Sequence, residues 1–285
     1  MKRLVCFFAV IVSLLLSLIL PKASAITYGF VDSSNTFSNT GAFIVKSSTT
    51  GQIFPICSGT MITSNVFLTA SHCTSFYTQD LAPEGFVAYV SLDQSIPFGA
   101  LTSNKTPLLP VAHVVTNPNY NQSQSDSGDI GALVLERDVR GVTPATLPAC
   151  GLLDQLVAQN GMKTAVFTNA GYGVQNRVVG GSVPFFQDLN PIPRMFSFSS
   201  FNSLNGGYLR LSQNASTGNG GTCFGDSGGP NFLTVSGKQL IIAITITGDS
   251  VCRSTNVDYR LDTASAQGFL AYVNAAFGTT IPISC

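Results

Sequence analysis

Past residue 25 the chain alternates short runs rich in Val, Ile, Phe, Thr and Tyr with breaks of Gly, Asn, Ser and Pro, the texture of an antiparallel β protein. These runs predict strands over residues 42–45, 60–62, 66–69, 86–92, 130–135, 165–171, 208–211 and 239–247. Regular turn signals between them favour barrels or sandwiches. Helical spacing is clear only near the end of the chain. There Phe269, Leu270, Val273, Ala276 and Phe277 share one face behind a cap at Asp262 or Thr263. Residues 141–158 are the expected crossing between two β units, with a possible helical turn over 152–157.

The first 25 residues break this texture. Lys2 and Arg3 precede an apolar run from Leu4 to Leu20, and Ala23-Ser24-Ala25 offers a small-residue cleavage site. A secretory signal over 1–25 and a mature chain from Ile26 are expected. The competing reading is an uncleaved anchor, although the run is short for a span of about 20 residues. Export would place Cys57, Cys73, Cys150, Cys223, Cys252 and Cys285 in an oxidising compartment, where an even number implies disulfides; Cys6 lies in the signal. With no CxxC and two histidines in all, a zinc site has little to draw on, and neither a metal nor a cofactor is expected. Fourteen basic residues balance 14 acidic ones, which leaves no electrostatic footprint for nucleic acid or an anionic membrane. Sequons at Asn104, Asn121 and Asn214 permit glycosylation of an exported chain.

The candidate chemistry centres on Thr222-Cys223-Phe224-Gly225-Asp226-Ser227-Gly228-Gly229-Pro230. A serine hydroxyl is a poor nucleophile unless a base takes its proton and nearby amides hold the oxyanion that forms on the substrate. Glycines on both sides of Ser227 let backbone N–H groups approach such an oxyanion. For the base, His72 ends an apolar strand beside Cys73, which could tie its loop back to Cys57; His113 lies in an apolar stretch with no such clamp and reads as a structural or surface residue. A carboxylate must fix the tautomer of the histidine, and it must be shielded from water. Asp129 directly precedes the apolar run 130–135, whereas Asp126 sits in a polar run and reads as a solvated loop residue.

Three segments, CSGTMITSNVFLTASHC, GDIGALVL and CFGDSGGP, resemble in order the signature regions of the chymotrypsin/trypsin family of serine proteases. The resemblance runs from Ile26 to about Phe277. It implies an all-β fold of two antiparallel six-stranded β-barrels with a C-terminal helix, here a first barrel over 26–145 and a second over 146–285. It implies peptide-bond hydrolysis through a triad of His72, Asp129 and Ser227, with the N–H groups of Gly225 and Ser227 as oxyanion hole. Protein or peptide substrates, proteinaceous inhibitors and a monomeric state follow from the same resemblance, with no membrane contact after signal cleavage. It also implies that Cys57 pairs with Cys73 and Cys223 with Cys252, which leaves Cys150 for Cys285. A non-catalytic binding module and an esterase on the same fold are the alternatives; the first usually lacks a triad member, and the second shares the acyl-transfer chemistry.

The chain departs from the family at several points. Gly171-Tyr172-Gly173 stands where Trp-Gly is usual, Ser71 where alanine is usual, and the substrate-binding Ser-Trp-Gly is replaced within Thr245-Ile246-Thr247-Gly248. By analogy Gly221 floors the primary pocket, with Thr222 and Val257 beside it. Gly221 supplies no carboxylate, so uncharged, small to medium side chains are expected unless a one-residue shift turns Asp258 into the pocket and restores a basic preference. Ile26-Thr27-Tyr28-Gly29 resembles the family's N-terminal Ile-Val-Gly-Gly, which implies an activating pair between the Ile26 α-amino group and Asp226.

Overall fold

The computed structural model describes residues 26–99, 107–174, 176–178, 185–187 and 190–285. The expected signal over 1–25 and the sequon at Asn104 fall outside them.

The chain opens with β1 (Phe30–Val31), β2 (Thr40–Ser47), β3 (Ile53–Met61), β4 (Val66–Thr69), β5 (Phe86–Ser91), the short β6 (Ser95–Ile96), β7 (Leu109–Thr116) and β8 (Gly131–Leu135). Strands β2, β3, β4, β8, β7 and β5 close into an antiparallel barrel. It is filled by Phe43, Val45, Met61, Phe67, Val90 and Leu133. After β4 comes α1 (Ser71–Phe76), continued by a π-helical turn over Tyr77–Leu81. Neither shows in the periodicity, since six residues cannot display an apolar stripe.

The crossing carries α2 (Leu152–Ala158), a helix slightly longer than the expected turn. Then follow β9 (Val166–Gly171), β10 (Asn176–Val178), β11 (Phe185–Gln187), β12 (Ile192–Pro193), β13 (Met195–Leu204), β14 (Tyr208–Ser212), β15 (Pro230–Val235), β16 (Lys238–Gly248) and β17 (Thr255–Arg260). Because β13 pairs with both β14 and β9, the ring β13-β14-β17-β16-β15-β9 closes as a second six-stranded antiparallel barrel. The two barrels belong to the expected all-β architecture. β1 pairs with β13, so the segment that leads into the first barrel is stitched to the second.

The C-terminal helix α3 (Ala264–Phe277) is capped by Thr263, whose hydroxyl accepts the Ala266 N–H at 3.2 Å. Asp262, the other expected cap, instead accepts from Arg260 and from the Leu153 N–H. Its buried face is Ala266, Phe269, Leu270 and Val273; Ala276, expected on that face, is exposed because the helix has passed the edge of the core. This face packs into a cluster with Val66, Leu68 and Ala132 of one barrel and Ile241, Ile244 and Tyr259 of the other. Among the described residues no helix is long and apolar enough to cross a membrane.

The second barrel is apolar at one end, around Phe167, Leu209, Leu211, Leu233 and Ile242. Its other end is polar. Asn231 Nδ2 donates to Asp258 Oδ1 at 2.8 Å, Asn256 Nδ2 to the same oxygen at 2.6 Å, and the Thr245 hydroxyl to it at 3.2 Å. Asn169 donates to Asn231 and accepts from the Ser199 hydroxyl. All these side chains are buried, and Asp258 Oδ2 has no hydrogen-bond partner. Burial drives the Asp258 carboxyl well above the usual carboxylate range, although the three donors oppose it. A group whose pKa is raised by folding stabilises the fold below its unfolded pKa and loses that contribution as pH rises through the folded value. Asp258→Asn removes the titration but keeps the shape. The variant is expected to fold, and to gain stability relative to the parent chain as pH is raised, as measured by urea unfolding at a series of pH values.

Candidate active site

His72 is the second residue of α1, where helix geometry leaves backbone N–H groups without intrahelical partners. Asp129 supplies one. Its Oδ1 accepts the His72 backbone N–H at 2.8 Å while its Oδ2 lies 2.9 Å from His72 Nδ1. The carboxylate is thus fixed at both oxygens by a single residue, and its side chain is 5% exposed against 26% for the imidazole. Two further ties hold the pair. The Ser71 hydroxyl donates to the Ile130 carbonyl at 2.7 Å and accepts the Asn117 N–H at 2.9 Å, and Cys73 is bonded to Cys57. Ser71, a departure from the family, therefore joins the residue before the histidine to the residue after the aspartate. The sulfurs of Cys57 and Cys73 lie near the His72 ring, but as a disulfide they are not free metal ligands.

Ser227 sits in a turn from the second barrel. Gly225 and Gly228 take φ of +94° and +78°, a left-handed backbone that favours glycine. The Ser227 carbonyl accepts the Ser58 N–H at 2.9 Å, and the Gly228 N–H donates to Thr245 at 2.7 Å. Asp226 is wholly buried; its Oδ1 accepts the Gly173 N–H at 2.8 Å and its Oδ2 the Cys223 N–H at 2.9 Å. Burial pushes its carboxyl up to about 7, with the two N–H donors in opposition. Any Cβ at Gly171 or Gly173 would run into this carboxylate, so the loop that replaces Trp-Gly keeps its glycines.

His72 and Ser227 line one cavity of about 350 Å³ with Thr222, Phe224, Thr245–Gly248 and Asp249. The structure thus brings the histidine and the serine to one cleft and puts Asp129 behind the histidine. Thr222 faces that cleft. Gly221 pairs with Thr27 and Val257 is half-buried opposite Thr247. Asp258 points into the barrel interior. Cys223–Cys252 and Cys150–Cys285 are bonded to each other. His113 is exposed, its ring 4.7 Å from that of Phe277. Asp126 lies half-buried in its loop, where its Oδ1 accepts the Tyr259 hydroxyl at 2.8 Å.

Two residues with a place in this site were not singled out by the sequence. Gln213 is wholly buried in the space that a side chain at Gly221 would take, its Oε1 without a partner and its Nε2 donating to Asp249 at 3.1 Å. Asp249 lines the cleft. Partial desolvation opposes ionisation there, but N–H donors from Thr255, Ser254 and Arg253, with Gln213, hold its carboxyl below the usual range. The other is Ser58, which touches Ser227, Gly225 and Tyr172 at once. No local sequence signal points to either, because their partners are remote in the chain. No curated protein matches the chain. The family model described as Trypsin matches residues 30–267, most of the chain and both barrels, and the chain belongs to that family.

Proposed function

We infer that the chain is an exported serine endopeptidase that cleaves peptide bonds through an acyl-enzyme. The observation that carries this is the His72 Nδ1 to Asp129 Oδ2 bond at 2.9 Å, with Ser227 lining the same cavity as the imidazole. With Nδ1–H held by Asp129, Nε2 is free to take the Ser227 proton as Oγ attacks the scissile carbonyl. The carbonyl oxygen becomes an oxyanion facing the N–H groups of Gly225 and Ser227. The proton then passes from Nε2 to the leaving amine, and water repeats the sequence in reverse to release the acid. Retention of all three side chains and both flanking glycines argues against a non-catalytic module. Ser227→Ala and His72→Ala are each expected to abolish peptide hydrolysis while the protein still folds, and the double variant to be little worse than either. Wild-type turnover by His72→Ala would overturn the reading.

The primary pocket is read as accepting uncharged, small to medium side chains. Gly221 brings no charge, the Gln213 amide occupies the space below it, and the Asp249 carboxylate is already engaged by four donors. A peptide library is expected to show cleavage after such residues. Dominant cleavage after Arg or Lys would refute this and assign the pocket charge to Asp249.

Activation is read as the removal of residues 1–25, freeing the α-amino group of Ile26. Ile26 is wholly buried against Met195, and Thr27 is bridged to Gly221 through the Gly221 N–H and Thr27 C=O at 3.0 Å. With φ of +50°, Ile26 occupies a region unfavourable to a β-branched residue, a torsion that ceases to exist once the preceding bond is cut. While Ile26 is still in peptide linkage, Asp226 with a carboxyl near 7 destabilises the fold as pH rises from about 4 to about 7, by at most roughly 4 kcal/mol. Pairing with the ammonium raises the amine above its ordinary 7.7–8.0, so the processed form holds this stability through neutrality and loses it in alkali. One extra alanine before Ile26 is expected to cut turnover at least about tenfold and to lower the melting temperature more at pH 7 than at pH 4. Full activity of that variant would rule the pairing out.

A further inference from the structure

Ser58 lies in β3, directly after Cys57, and is wholly buried. Every polar group it owns is engaged, and each bond leads to a segment of the proposed catalytic apparatus or to its support. Its N–H donates to the Ser227 carbonyl at 2.9 Å, and its carbonyl accepts the Thr69 hydroxyl at 2.8 Å. Its hydroxyl accepts the Tyr172 N–H at 2.9 Å and lies 2.9 Å from the Gly225 carbonyl. The direction of these last two bonds is fixed by chemistry. A backbone N–H can only donate and a carbonyl can only accept, so the single hydroxyl proton of Ser58 goes to Gly225.

Gly225 is the residue whose own N–H is aimed at the oxyanion in the proposed mechanism. At φ of +94° it takes a left-handed backbone, and it has no side chain to anchor it. Its carbonyl is pinned by Ser58. The next residue, Asp226, is held by the Gly173 N–H, and Gly173 adjoins the Tyr172 whose N–H Ser58 also holds. One hydroxyl from the first barrel therefore fastens two adjoining loops of the second, without using any charge.

We propose that Ser58 is a positioning residue that sets the Gly225 oxyanion donor from the opposite barrel. The proposal rests on the protease reading above and deepens it. The link is a neutral hydrogen bond, so it acts whether or not an ammonium faces Asp226. It makes oxyanion geometry depend on how the two barrels are seated against each other.

The test compares wild type, Ser58→Ala and Ser58→Cys in the full exported protein, each normalised by titration of reactive Ser227. Loss of a direct oxyanion donor costs on the order of 10²–10³ in rate. Misplacing one by loss of its support is expected to lower kcat roughly tenfold in Ser58→Ala, with KM within about twofold. Affinity for a peptide aldehyde, whose hemiacetal oxygen on Ser227 enters the oxyanion hole, should fall by a similar factor. The acid limb of the pH–rate profile should not move, because neither bond of the Ser58 hydroxyl reaches the His72–Asp129 pair. Ser58→Cys keeps the volume and a weak donor, and is expected to be intermediate. Unchanged kcat and aldehyde affinity in Ser58→Ala would overturn the proposal, as would a rise in KM alone or a shifted acid limb. If Ser58→Ala does not accumulate, wild-type kcat in Ser58→Cys overturns it and a partial loss with full titration supports it. Activity surviving in Ser227→Ala would instead reject the underlying protease reading.

Discussion

A carboxylate with no access to water sets the terms for the rest of this molecule. Asp226 is buried completely, and a buried carboxyl must find donors, find a cation or give up its charge. Two backbone N–H groups reach it, from Gly173 and Cys223, and neither carries a charge. For those donors to come so close, the flanking loop must lack side chains, which explains the glycines around Tyr172. The loop must also be held against the turn of Ser227. The chain around the nucleophile is thus shaped by an electrostatic demand from the residue beside it.

The two barrels meet across a seam that is apolar in its middle and polar where precision is required. Arg194, fully buried, shows the polar type. It donates to Asp32 Oδ2 at 2.8 Å, to the carbonyls of Thr40 and Leu92 at 3.0 Å each, and to Asn35. A buried ion pair of this kind adds little net stability over apolar packing, but it punishes misplacement severely, since an unpaired buried charge is far costlier than an imperfect contact. It ties the segment after β1, the first barrel and the start of β13 into one arrangement. Ser58 does the same near the catalytic turn with a neutral group.

Much of this could be read from the chain. The strands with Val, Ile and Phe runs, such as β4, β8 and β16, declared themselves because their side chains meet apolar neighbours. The nucleophile turn declared itself because glycines at fixed offsets have a steric purpose. β13 did not. Its sequence alternates Phe with Ser, and alternation suggests the aromatic face is inward, yet Ser197 and Ser199 are buried while Phe198 is 43% exposed. The reason is the polar interior of the second barrel, where Asn169 needs hydroxyl partners and an aromatic ring would leave it unsatisfied. α1 was hidden for another reason: a six-residue helix without strong helix formers is held by Asp129 and a disulfide and not by its own propensity. Ser58 and Gln213 were hidden because the importance of each lies in partners remote in sequence.

The bond between Cys150 and Cys285 spans a separation of 135 residues and takes in the last residue of the chain. All six strands of the second barrel lie between these two cysteines, so that barrel is a covalently closed ring. A single backbone cut anywhere inside the ring opens it into a line but releases no fragment, and the strands on either side of the cut stay paired through their neighbours. For a chain that belongs to a family of proteases, the ring turns one stray cleavage from a loss of material into a change of connectivity, and two cuts are needed before any piece can leave.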